Sequence, residues 1–256
     1  MIDLWYCFTD LADDAALLAE YRALLTDEER AEELRYRFPQ GRRQLLVSRA
    51  LARTALSEHA GCDPRVWRFI RNSYGKPGIA HPAGTGLEFN LSHTRGLAVC
   101  GVLRGGPIGV DVEDRRRPTD AVALSRRFFA PSEAAALAAQ PDANRQDVFF
   151  QYWTLKEAFI KGRGLGFSLP LDRFAFVLEP GQPPRVTFEP YDQHRPEDWQ
   201  FARLRPTDNY QVSVAAWLPP PAALRIRMRA ALPLRWQAAP RAAGDDASTE
   251  AEHCPS

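Results

Sequence analysis

Lysine is nearly missing from this chain. Of 33 basic side chains only three are lysines, Lys76, Lys156 and Lys161, and the rest are arginines. Where arginine has filled almost every generic basic position, a surviving lysine marks a place that suits a compact, flexible ammonium better than a planar guanidinium. Other scarcities exclude whole classes. No apolar run approaches the ~20 residues that span a bilayer. The opening MIDLWYCFTD carries an acid at Asp3 and lacks the apolar stretch of a secretory signal, so a cytoplasmic protein is expected. The four cysteines lie far apart without a C-x-x-C pair, which argues against zinc sites and disulfides and for thiols in a reducing compartment. A net charge of +1 gives no general pull towards nucleic acid or membrane, so any anion site must be local.

What remains is an ordinary globular composition, 45% apolar and 25% charged over 256 residues, enough for one large domain or two small ones. Residues 2–8 alternate like a first strand. Thr26 can cap a helix whose first turn is acidic. From about 41 to 60, apolar residues at 45, 46, 51, 52, 55 and 56 predict an amphipathic helix ending near Gly61. Its other face carries Arg42, Arg49 and Arg53, which reads as a solvated basic face or as an anion site. A loop, NSYGKPGIA, precedes strand-like LEFNLSH and TRGLAVCGVL. The turn R104-G105-G106-P107 then predicts a hairpin running into IGVDVED. Helices are expected over 132–140 and 145–163, and strands over 174–179, 185–189, 199–205 and 210–218. After residue 219 the chain is rich in Pro, Ala and Arg, and beyond about 238 it reads as a disordered tail. The order helix, loop, strand, strand occurs once in each half, which predicts an α+β fold of two similar lobes.

Two stretches carry the chemistry. In GVDVED, strand alternation turns Val110 and Val112 to a core and projects Asp111 and Glu113 together from the opposite face. Like charges that close repel unless neutralised, so the choice lies between a half-exposed acidic face and a bound cation. In WTLKEAFIKGRGLG, helical spacing puts Tyr152, Leu155 and Phe159 on an inward stripe and Trp153, Glu157 and Lys161 on another. A simple Glu157–Lys161 ion pair would account for the second stripe. Gly162, Gly164 and Gly166 follow no strand and open no helix, which rules out a dinucleotide-binding turn.

YGKP (74–77), FNLSH (89–93), GVDVE (109–113), RFF (127–129) and WTLKEAFIKGRGLG with SLPLDRF (168–174) together resemble the 4′-phosphopantetheinyl transferases, in the long pseudo-dimeric branch. The resemblance spans roughly residues 25–218. It implies a pseudo-homodimer of two α/β lobes in one monomeric chain, each a small sheet packed on a long helix. The expected boundaries are 1–115 for the N-terminal lobe, 116–220 for the C-terminal lobe and 221–256 for a partly disordered tail. It implies one Mg²⁺ held by Asp111, Glu113 and Glu157, with coenzyme A as co-substrate. The implied reaction moves the phosphopantetheine arm to a serine of an apo acyl or peptidyl carrier protein and releases 3′,5′-ADP. Lys161 is implied at the reacting diphosphate, Glu157 as the base for the serine proton, and Ser92, His93 and Thr94 at phosphate oxygens. Lys76 is implied near the adenine and ribose, and Arg43 and Arg49 at the 3′-phosphate, with Arg42 or Arg53 as substitutes. One departure is that some relatives carry basic residues where this chain reads TDEERAEELR. Alternatives are a hydrolase acting on the coenzyme A diphosphate and a non-catalytic scaffold that binds coenzyme A or a carrier.

Overall fold

A computed structural model describes residues 1–188 and 195–235. Eleven strands and six α-helices follow in the order β1 (Ile2–Phe8), α1 (Ala15–Ala23), α2 (Asp27–Arg35), α3 (Pro39–Ala60), β2 (Arg68–Arg71), β3 (Pro77–His81), β4 (Leu87–Thr94), β5 (Leu97–Arg104), β6 (Ile108–Asp114), α4 (Ala121–Phe128), α5 (Pro131–Ala138), α6 (Asp142–Arg163), β7 (Phe174–Val177), β8 (Arg185–Phe188), β9 (Trp199–Leu204), β10 (Tyr210–Trp217) and β11 (Ile226–Ala230). The fold is α+β. One sheet has the order β11-β1-β5-β4 and another β6-β10-β9, with two-stranded ribbons β2-β3 and β7-β8 beside them.

The layers follow from strand alternation. Ile2 and Leu4 of β1 with Leu97 and Val99 of β5 meet Ile108, Val110 and Val112 of β6 and Val212 and Val214 of β10 in a core between the two larger sheets. The opposite faces of β1 and β5, through Trp5, Cys7, Cys100 and Val102, pack on Leu46, Ala50 and Leu51 of α3. On the far side of the molecule, Leu155 and Phe159 of α6 pack with Phe174, Phe176 and Phe201. Both long helices span 22 residues and stop at a left-handed glycine, Gly61 at φ 68° and Gly164 at φ 67°. Thr26 caps α2 in a reciprocal box with Glu29.

Three expectations need correction. The 104–107 turn does not close a hairpin, because β1 and β4 already occupy both edges of β5 and β6 pairs with β10 instead. NSYGKPGIA is the turn and second strand of the β2-β3 ribbon. The stretch after 219 adds β11 in parallel register to β1, with Ile2 opposite Ile226 and Tyr6 opposite Ala230. Asp3, 3% exposed, accepts hydrogen bonds from Arg227 at 2.5 and 3.0 Å and fixes that strand to the edge. The expected disordered tail beyond 238 lies outside the described residues, as does Cys254.

One approach positions everything that follows. The outward face of β6 at Gly109 lies directly against α6, and a Cβ at that position would run into the Ala158 carbonyl oxygen and the Gly162 nitrogen. Gly162 returns the constraint, since a Cβ there would crowd the Trp199 ring and come within 3.3 Å of the Gly109 nitrogen. Backbone meets backbone here because neither residue has a side chain. Gly109→Ala is therefore expected to force α6 off the strand. It should lower the melting temperature by roughly 2–12 °C, from an overpacking cost of about 1–3 kcal/mol, measured by circular dichroism.

Candidate active site

The segments marked in the sequence converge. Asp111 and Glu113 lie on β6, Glu157 and Lys161 on the last turns of α6, Ser92, His93 and Thr94 on β4, and Lys76 in the β2-β3 ribbon. The Gly109–Gly162 approach brings β6 under α6, and β4 closes the other side. Asn90, an unusual residue for the middle of a strand, accepts a hydrogen bond from the Val110 N–H at 2.9 Å. Two residues on in β4 and one on in β6, the Ser92 hydroxyl donates to Asp111 Oδ1 at 2.9 Å. Asn90 belongs to FNLSH, and no local pattern in those letters signals its bridge to β6.

The Lys161 ammonium does not pair with Glu157. It donates to Asp111 Oδ1 at 2.6 Å and to Ser92 Oγ at 2.9 Å. The other oxygen of Asp111, Oδ2, is buried with no hydrogen-bond partner. A buried acceptor left this way costs about 1–3 kcal/mol, and more when charged. Burial, then the Asp111 charge, pushes the Glu157 carboxyl up to about 7, with Lys161 opposing and Glu113 adding to the shift. Burial and Asp111 raise Glu113 in the same way. Three carboxylates therefore feel one another across the strand–helix boundary.

Among the described residues, no group of three or more His, Cys, Asp and Glu side chains is gathered tightly enough to hold a metal ion as placed. Two of the three carboxylates are instead held by cations of the chain, Asp111 by Lys161 and Glu113 by Arg117 at 3.3 Å. The donor set still fits a hard divalent cation. It offers only carboxylate oxygens, one of them buried and unpartnered, with a mutual repulsion that such an ion would relieve.

A cavity of about 250 Å³ opens beside these groups, walled by Tyr74, Lys76 and Pro77 on one side, Asn90 and Leu91 on another, and Glu157, Ile160 and Lys161 on the third. Lys76 bounds it without a free ammonium. Its Nζ donates to the Gly162 carbonyl at 2.9 Å and the Ile108 carbonyl at 3.2 Å, and burial lowers its pKa. Asn72 adds a bond from Nδ2 to the Gly164 carbonyl at 2.9 Å. The ribbon thus staples the end of α6 to the start of β6. Lys156 is fully buried, paired with Glu133 at 2.7 Å and donating to the Leu171 and Phe174 carbonyls, so it anchors the segment after α6.

The His93 ring is open to solvent by area yet sits in a crowded cleft. That crowding, then the Lys161 and Arg49 charges, lowers its pKa. The basic face of α3 is largely paired within the chain. Arg53 is fully buried on Glu29 at 2.6 Å, Arg49 meets Glu32 at 3.1 Å, and Arg43 meets Asp13 at 2.7 Å. Arg42 Nε donates to the Tyr36 carbonyl at 2.8 Å. The acids of α2, which follow the Thr26 cap, neutralise Arg49 and Arg53.

Residues 107–215 match the model of the 4′-phosphopantetheinyl transferase superfamily, and residues 14–102 match the N-terminal model of 4′-phosphopantetheinyl transferases. The chain is 36% identical over 199 residues to the 4′-phosphopantetheinyl transferase HetI of Nostoc sp., covering 77% of this chain and 81% of that one. It is 35% identical over 195 residues to a 4′-phosphopantetheinyl transferase of Bacillus subtilis, covering 76% and 83%. Against the transferase Sfp of Bacillus subtilis strain 168 the identity is 32% over 176 residues, covering 69% and 75%. This chain belongs to the 4′-phosphopantetheinyl transferase superfamily.

The Glu157 carboxyl gives a stability test. Unfolded, it ionises near its ordinary value of about 4.3; folded, it holds its proton up to about 7. Between those values the folded state binds more protons, so its contribution to stability falls as pH rises. Without divalent cations, Glu157→Gln should melt a few degrees above the parent at pH 8 and match it near pH 4. Parallel melting profiles for the two proteins would contradict the assignment.

Proposed function

We propose that this protein transfers the 4′-phosphopantetheine arm of coenzyme A to a serine hydroxyl of an apo acyl or peptidyl carrier protein, releasing 3′,5′-ADP, and that the reaction depends on Mg²⁺. The observation that carries the site assignment is the buried, unpartnered Oδ2 of Asp111, facing a cluster completed by Glu113 and Glu157 beside the Lys161 ammonium. Asp111, Glu113 and Glu157 would hold the cation, which when bound supplies Lewis acidity and orientation to the diphosphate.

The chain's own groups meet the remaining demands of phosphoryl transfer, which are alignment, charge neutralisation and removal of a proton. Lys161 is poised to turn its ammonium from Asp111 to the oxygens that gain charge as the phosphorus is attacked. Glu157 takes the serine proton. Ser92, His93 and Thr94 line the approach to the phosphates, with Arg49 close enough to His93 to act on its charge. Arg43 and Arg49 serve the 3′-phosphate only by yielding some of their hold on Asp13, Glu29 and Glu32. Lys76 borders the adenine–ribose side, where its carbonyl bonds shape the wall.

The same reading extends to architecture. Lobes of residues 1–115 and 116–220, with β6 of the first pairing across to β10 of the second, form a pseudo-homodimer, supported by the two 22-residue helices, each ending at a left-handed glycine and each packed on the outer face of one of the two larger sheets. Residues 221–256 form the tail, and its segment Ile226–Ala230 adds β11 to the sheet of the first lobe. The protein is taken to act as a cytoplasmic monomer.

Incubation with coenzyme A, Mg²⁺ and an apo carrier should add one phosphopantetheine to the carrier by intact-protein mass spectrometry. Asp111→Ala should give no gain, and Lys161→Ala should lower kcat by roughly 10²- to 10³-fold, the usual loss for a charge-stabilising group. Release of 3′,5′-ADP at full rate without any carrier would point to hydrolysis and overturn the transfer reading.

A further inference from the structure

Three consecutive arginines follow the acidic strand, and the structure spends them differently. Arg115 bonds Asp147 through Nε at 2.7 Å, and Arg116 grips Asp114 through two bonds of 2.8 Å. Both are ordinary structural pairs. Arg117 alone reaches into the carboxylate cluster, with Nη2 3.3 Å from Glu113 Oε1 and its guanidinium over the Phe150 ring of α6 at 5.6 Å.

We propose that Arg117 is an internal counter-cation of the metal site: it neutralises Glu113 in the metal-free protein and is displaced when the divalent ion arrives. This rests on the metal assignment made above. Three carboxylates face two chain cations, Lys161 and Arg117, so at most one negative charge in the cluster is uncompensated. A divalent ion overshoots that deficit, and one monovalent cation has to withdraw. Geometry selects which. Lys161 holds Asp111 at 2.6 Å with a side chain only 29% exposed, whereas Arg117 holds Glu113 at 3.3 Å and is 53% exposed. The long, wet pair is the weaker.

The backbone of Arg117 need not move. Its N–H donates to the Asp114 carbonyl at 3.1 Å, and its carbonyl accepts from the Thr119 hydroxyl at 2.9 Å. Only the side chain has to swing, and an open cavity of about 570 Å³ between Thr94, Arg95, Arg116 and Pro118 stands ready for it. Arg117 therefore sets metal affinity without touching the transferred group. It is a positioning residue.

The opposite role is also physically reasonable and gives the opposite sign. If Arg117 oriented Glu113 for ligation, its loss would weaken metal binding. The test uses the full chain without coenzyme A, titrated with Mn²⁺ and followed by the electron paramagnetic resonance signal of the free ion. Arg117→Gln should tighten Mn²⁺ binding by roughly two- to fivefold, the size of an exposed ion pair. Arg117→Lys should return the affinity towards that of the parent, and Asp111→Asn should abolish binding. Unchanged or weaker binding in Arg117→Gln, with Asp111→Asn still inactive in binding, overturns the counter-cation and leaves the metal site standing. Absence of Mn²⁺ binding by the parent, or binding that survives Asp111→Asn, sinks the metal site and the counter-cation together.

Discussion

The contact on which the site depends is made by two residues with no side chains. Gly109 and Gly162 let a strand and a helix touch through their backbones, and any Cβ at Gly109 would collide with the helix. Everything chemical is counted from that contact. Two and four residues beyond Gly109 stand Asp111 and Glu113; one residue and five residues before Gly162 stand Lys161 and Glu157. Strand and helix periods then bring the four side chains to one place. The clamp from Lys76 and Asn72 to carbonyls of both elements holds the crossing at its tightest point.

The electrostatics of the cluster run against stability. Burial and like charge push Glu157 and Glu113 upward, and Asp111 keeps an oxygen that bonds to nothing. Elsewhere the same fold treats buried charge with care. The Lys156–Glu133 pair is buried too, yet its members also bond the Leu171, Phe174, Ala130 and Phe176 backbone groups. A chain able to satisfy one buried pair so fully, and leaving another cluster short, concentrates its strain where a ligand can relieve it.

Much of this was legible in the sequence where geometry is local. Alternation in GVDVED and four-residue spacing in the α6 segment are fixed by strand and helix periods, so the stripes of Val110 and Phe159 and of Asp111 and Glu157 could be written down from letters alone. The non-local parts could not. The glycine-rich turn after Arg104 reads as a hairpin because nothing nearby says that both edges of β5 are taken. The arginines of α3 look solvated because the acids of α2 that cover them depend on how two helices cross. Lys76 looks like a ligand-binding residue in a loop, and only the fold shows its ammonium turned onto two carbonyls. β11 hides in a Pro- and Ala-rich stretch, since what makes it a strand is the open edge of β1.

That last strand has a consequence for how the molecule comes apart. The first sheet is completed by residues that follow the second sheet in the chain, and Tyr21 adds a hydrogen bond to the Pro233 carbonyl at 2.9 Å. The polypeptide is thereby closed on itself: neither half can be peeled away while its partner stays intact without also tearing out the closing segment. With a shared apolar layer between the sheets as well, the two sheets are expected to melt in a single cooperative transition rather than two independent ones.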